Sequence, residues 1–125
     1  MSVLITGGGS GIGADCAQRF CEQGALVTIS GRRIDKLEAV QAQLGDNCRI
    51  VQGDVCQQSD RVNMVEVALA HGGGKLDALI NNAANMYRQP VDGYTEAHLS
   101  DAFNTNVISA MMLSSLAVPH LDATD

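Results

Sequence analysis

The sequence predicts a doubly wound α/β fold built on a parallel sheet, and three observations predict it. Short apolar runs alternate with helix-length amphipathic runs in strict order along the chain. Each apolar run is continuous rather than alternating, as in strands covered on both faces. A glycine-rich stretch, TGGGSGIG at residues 6–13, joins the first such run to the first helix. Right-handed β-α-β crossovers then give a strand order of 3-2-1-4. With 125 residues, 46% of them apolar and 18% charged, the chain is one soluble domain with a core of its own.

The elements follow in order. Residues 2–5 form a first strand from Ser-Val-Leu-Ile. Residues 11–23 are helical, with Ile12, Cys16, Ala17 and Phe20 on one side and Gly24 as the stop. ALVTI at 25–29 is a second strand. Leu37, Val40 and Leu44 mark a second helix over 35–44, ended by Gly45. A third strand spans 48–52. Ser59 is expected to cap a third helix carrying Val62, Val65 and Leu69, which runs out at Gly72-Gly73-Gly74. A fourth strand covers 76–80. Thr95 is expected to cap a short helix, and a longer one to run over 104–118 and stop at Pro119. The chain ends at Asp122-Ala123-Thr124-Asp125, where the sheet is expected to break off before a fifth strand.

Composition excludes several functions. A net charge of −6 with only eight Lys and Arg, which form no basic stripe, leaves no nucleic-acid footprint. The longest apolar stretch, 107–118, is too short and too rich in serine to cross a membrane, and since Met1 leads straight into the first strand no secretory leader is expected. Cys16, Cys21, Cys48 and Cys56 lack metal spacing and read as free thiols in a reducing cytoplasm. His71, His98 and His120 are scattered surface or cap residues, so no metal is expected. Met111, Met112, Leu113 and Leu116 read as packing or subunit contact.

The glycines carry the chemistry. At a strand-to-helix turn, free backbone N–H groups and the positive helix end form an anion site suited to a diphosphate. Gly9-Ser10-Gly11-Ile12-Gly13-Ala14 lets oxygens approach the backbone and lets the helix pack on the strand; no lysine follows, as a P-loop would require. Thr6-Gly7-x-x-x-Gly11-x-Gly13 resembles the TGxxxGxG signature of the short-chain dehydrogenases/reductases, and more of the pattern follows in order. Asp54-Val55, after the third strand, stands where that family contacts adenine. Asn81-Asn82-Ala83-Ala84 resembles the family's NNAG, with Ala84 in place of the usual glycine. Asn106 stands where the family carries a supporting active-site asparagine, although Asn104 and Asn106 read almost equally well as a helix start. The resemblance covers essentially the whole chain and implies a Rossmann-like domain over residues 1–125. It also implies cofactor contacts from Gly7, Gly9, Ser10, Gly11, Ile12, Gly13, Asn82, Ala83 and Ala84.

The end of the second strand bears on which dinucleotide is bound. An NAD-specific site places a carboxylate about 20 residues beyond the glycines; here Ser30-Gly31-Arg32-Arg33 offers glycine and two arginines. A guanidinium beside a 2′-phosphate favours NADP(H) over NAD(H). Carbonyl reduction also needs a proton donor, which the family supplies from Ser and Tyr-x-x-x-Lys. Tyr87 is followed at that spacing by Val91, Tyr94 by His98, and the only lysines are Lys36 and Lys75. Two readings follow. The chain is the cofactor-binding part of an NADP(H)-dependent ketone or alcohol oxidoreductase, inactive alone and homo-oligomeric in full-length form, or it is a non-catalytic module that meets partners through an exposed sheet edge. A carbonyl or alcohol substrate enters only if the missing half is present.

Overall fold

The computed structural model describes residues 1–121; Asp122–Asp125, where the sheet was expected to break off, lie outside the described residues. Four strands, β1 (Ser2–Thr6), β2 (Leu26–Gly31), β3 (Cys48–Gln52) and β4 (Ala78–Ile80), form one parallel sheet in the order β3-β2-β1-β4. The fold is the Rossmann-like one read from the sequence. Helices α1 (Gly11–Glu22) and α2 (Ile34–Leu44) cover one face; α3 (Gln58–His71) and α5 (Ser109–Leu121) cover the other, with α4 (Glu96–Phe103) leading into α5.

Alternation along the strands sorts the core into two layers. Val3, Ile5, Val27 and Ile29 point towards Ala17 of α1 and Leu37 of α2. Leu4 and Val51 point the other way, towards Met64, Val65 and Ala68 of α3 and Leu113 and Ala117 of α5. Gly24 and Gly45 end α1 and α2 at φ +82° and +83°, in the left-handed region that glycine enters without strain.

Several boundaries differ from the sequence expectation, each for a local reason. Ser59 does not cap α3; Gln57 does, without a side-chain bond. The entry to α3 is held instead by Asp60, whose Oδ2 accepts the Asp54 N–H at 2.8 Å. The buried stripe of α3 is Arg61, Met64, Val65 and Ala68, with Val62 and Leu69 only half-buried. β4 is shorter than expected because Asp77 ties off its start. The Asp77 N–H donates to the Ser2 carbonyl (2.9 Å) while its Oδ2 accepts the Ser2 N–H (2.6 Å), and Leu76 turns into the core. Thr95 caps α4 as expected, in a capping box with His98.

From Glu96 to Leu121 the chain then runs as a single helix rather than two. A π-helical turn at Asn104–Ile108 takes up the join, and the Ser109 hydroxyl donates to the Thr105 carbonyl there. Pro119 sits inside the last turn of α5, where its missing N–H deprives only the Ser115 carbonyl of a helical donor. The outer side of this helix leaves Phe103, Val107, Ile108, Met111 and Met112 exposed. β4 lies at the sheet edge, paired with β1 alone among the described residues.

The four cysteines are free, and Cys48 is buried in the α1–α2 layer. Burial, helped by the neighbouring Cys21 thiol, pushes Cys48 up to about 11. The folded state therefore keeps a proton that the unfolded thiol loses at its ordinary value, so stability is level below that value and falls as pH rises towards 11. Thermal melts are expected to show a lower midpoint at about pH 10.5 than at about pH 8, and Cys48→Val to remove part of that slope.

Candidate functional site

At the C-terminal ends of the strands, where open α/β sheets bind ligands, lies a cleft of about 520 Å³. The β1–α1 turn forms its floor. Gly7 takes φ +66°, and a Cβ there would stand 3.0 Å from the Ala83 Cα. Gly13 lies in the first turn of α1 against the same turn: a Cβ on it would come within 2.3 Å of the Gly7 carbonyl oxygen. Gly7, Gly9 and Ser10 line the cleft, whereas Gly11, Ile12 and Gly13 do not; Gly11 and Ile12 are exposed and Gly13 is buried. Ser10 makes no side-chain cap and the first turn of α1 carries no acid, so its leading N–H groups are free for an external anion.

The end of β4 is bolted to this turn. The Thr6 hydroxyl accepts the N–H groups of Asn82 and Ala83, both at 3.0 Å. The Asn82 side-chain amide donates to the carbonyls of Thr6 and Gly7, both at 3.1 Å. Asn82, Ala83 and Ala84 thereby form the cleft's second wall. Ala84 is exposed, with its methyl in the open.

Cations gather at the corner beyond β2. Arg32 and Arg33 line the cleft and are exposed, and Gln52 holds the Arg32 carbonyl at 3.1 Å. Lys36, one turn into α2, joins them on the same wall beside Gly9. Sequence reasoning passed over Lys36, although its place three residues after Arg33 on a helix was the available signal. Across the opening stand Asp54 and Val55. Asp54 Oδ1 accepts the Cys56 N–H at 2.9 Å, which leaves its other oxygen free, and Val55 is at once core and cleft wall.

The far end is closed by residues the sequence did not single out. Asn85, Asp101, Asn104 and Thr105 line it, and Cys56 Sγ lies 3.3 Å from Thr105 Oγ1. No spacing rule links positions 49 residues apart. Asp101 Oδ2 accepts from Tyr87 Oη (2.5 Å) and Asn85 Nδ2 (2.6 Å), and the Tyr87 ring stacks on His98. Asn106 does not line the cleft. It sits within the π-turn rather than at a helix start, and its amide pairs with the Asn85 backbone as a strand would. Oδ1 accepts the N–H at 2.7 Å while Nδ2 donates to the carbonyl at 2.6 Å.

Comparison with known proteins agrees with this geometry. The family model for short chain dehydrogenases matches residues 1–125. The chain belongs to the short chain dehydrogenase family. Among its relatives, an oxidoreductase, asL5, of Sarocladium schorii is 38% identical over 94% of the chain and 47% of its own length. A tropinone reductase homolog of Arabidopsis thaliana is 32% identical, over 98% of the chain and 48% of the relative. The crystal structure of 3-ketoacyl-(acyl-carrier-protein) reductase from Brucella melitensis complexed with NADH superposes with a TM-score of 0.90 at 33% identity, covering 94% of this chain and 49% of that one. The chain thus spans about half the length of the relatives it matches.

Two expectations test the floor. Gly13→Ala is expected to cost about 1–3 kcal/mol by overpacking, read as a lower urea midpoint. Thr6→Val keeps shape but strands two amide donors, and is expected to cost about 2 kcal/mol and to speed hydrogen exchange at Asn82 and Ala83.

Proposed function

We propose that this chain is the NADP(H)-binding part of a short-chain oxidoreductase. The observation that carries the reading is the corner of the cleft formed by Arg32, Arg33 and Lys36, with Gly31 at the strand end where a ribose-binding carboxylate would stand. The residues present fit the dinucleotide. Gly7, Gly9 and Ser10 line the cleft, and no side-chain cap occupies the leading amides of α1, where a diphosphate needs backbone N–H groups.

In this reading each wall has a role. The amides of residues 7–13 and the end of α1 hold the diphosphate, with Gly11, Ile12 and Gly13 acting through backbone rather than side chain. Arg32 and Lys36 meet the 2′-phosphate, and Arg33 adds charge beside it. The free Asp54 oxygen accepts from the adenine amino group while Val55 covers the ring. Asn82, Ala83 and Ala84 line the ribose on the nicotinamide side, and Asn106 supports that side by fixing Asn85. The bound cofactor supplies hydride transfer. The protein supplies orientation and charge, and the proton donor that carbonyl chemistry needs is not among these 125 residues.

The full protein is accordingly read as a ketone or alcohol oxidoreductase, and the 125-residue chain alone as inactive. The exposed side of α4 and α5 fits a homo-oligomeric full-length form, and the four free thiols fit a cytoplasmic one. No helix among the described residues is long and apolar enough to cross a membrane.

Titration calorimetry tests the reading. Arg32→Ala is expected to weaken NADPH binding about ten- to a hundred-and-fifty-fold while changing NADH little. Lys36→Ala is expected to act in the same direction by about fivefold. Equal losses for both dinucleotides would overturn the assignment.

A further inference from the structure

The first turn of α3 carries a buried arginine that the cofactor reading leaves unused. Arg61 is 7% exposed, on the apolar stripe of Met64, Val65 and Ala68, and no carboxylate pairs with it among the described residues. A cation there is unfavourable twice over. It gives up hydration, and it sits near the positive end of α3. Three hydrogen bonds offset this. Nη1 donates to the Val55 carbonyl at 2.6 Å, and Nε and Nη2 both donate to Gln58 Oε1, at 3.1 and 2.8 Å.

Those bonds act on the turn that faces adenine. Val55 is gripped at its carbonyl by Arg61, and Asp54 at its N–H by Asp60, the preceding residue of the same helix. A further bond of the turn, from the Cys56 N–H to Asp54 Oδ1, fixes which carboxylate oxygen stays free. Two adjacent side chains of α3 thus reach back and hold the peptide units on either side of the Asp54–Val55 pair. The start of the turn is tied to the end of β2, where the Gly53 N–H donates to the Gly31 carbonyl at 2.9 Å and the Asp54 carbonyl accepts the Gln57 N–H at 2.9 Å, so the side chains of α3 set the remaining direction at residues 54 and 55.

We infer that Arg61 is a positioning residue for base recognition: by clamping the Val55 carbonyl it aims the free Asp54 oxygen at the amino group of the adenine. This rests on the dinucleotide reading above and adds to it a determinant of base specificity. The guanidinium is suited to the task because its planar fork fixes direction as well as distance, which an apolar side chain filling the same space would not. An apolar replacement on a buried stripe is also tolerated by the core, so position and stability can be separated.

The test compares NADP+ with its hypoxanthine analogue, deamino-NADP+, which lacks that amino group, by calorimetry on the whole chain. The unsubstituted protein is expected to prefer NADP+ about tenfold. Arg61→Met is expected to keep its circular dichroism and bring the ratio close to one, chiefly by weakening NADP+. Arg61→Lys, with one donor that reaches the Val55 carbonyl, is expected to restore part of the preference. Gln58→Ala, which frees the guanidinium but leaves it in place, reads the same ratio if Arg61→Met does not fold. An unchanged ratio in the variants, or an equal loss for both ligands, would overturn the role of Arg61. Binding of neither ligand by the unsubstituted protein would instead overturn the dinucleotide reading.

Discussion

The fold turns on one close approach: the β1–α1 turn passes so near the segment after β4 that Gly7 and Gly13 have no room for a Cβ. Asn82 spans the gap, donating to the Thr6 and Gly7 carbonyls, and the first turn of α1 presses Gly13 against Gly7 from below. Thr6 completes the junction by accepting the N–H groups of Asn82 and Ala83, just beyond β4, with one hydroxyl. With no side-chain cap at Ser10, the leading amides of α1 remain available, and the proposed diphosphate site rests on this junction together with the helix dipole.

The rest of the cleft is arranged around that floor by charge and by long-range latches. Positive side chains collect at one corner, from the end of β2 and the start of α2, and a carboxylate stands opposite on the turn after β3. At the other end a loop without regular structure is pinned by the helix that follows it. Asn106 pairs with the Asn85 backbone, and Asp101 takes bonds from Asn85 and Tyr87. The π-turn belongs to this arrangement, since it sits where Asn106 pairs with Asn85 and Thr105 meets Cys56.

Much of this was legible in the sequence, because it is written locally. Continuous apolar runs marked the strands, glycines marked the ends of α1 and α2, and TGGGSGIG marked the turn, each through a backbone requirement that residue type reveals. What was missed depends on contacts far apart in the chain. Ser59 looked like a helix cap, but Asp60 holds the entry by reaching back to residue 54. Val62 looked like core, yet Arg61 takes the buried place because three acceptor contacts await its guanidinium. Asn104 and Pro119 looked like helix boundaries; the helix passes through both, since the side chain of neighbouring Asn106 is engaged by another segment and the proline falls in a final turn. Lys36 shows the intermediate case, a residue whose helical position was readable but whose neighbours were not.

The central claim is that the glycine turn and the walls around it form one dinucleotide site. The most direct measurement is an amide nuclear magnetic resonance titration of the folded chain with NADP+. The account predicts saturable shifts at residues 7–13, 32, 54–56 and 82–84, with the outer side of α5 around Met111 unmoved. A well-dispersed spectrum in which those amides stay still, or in which saturable shifts gather elsewhere, would contradict it.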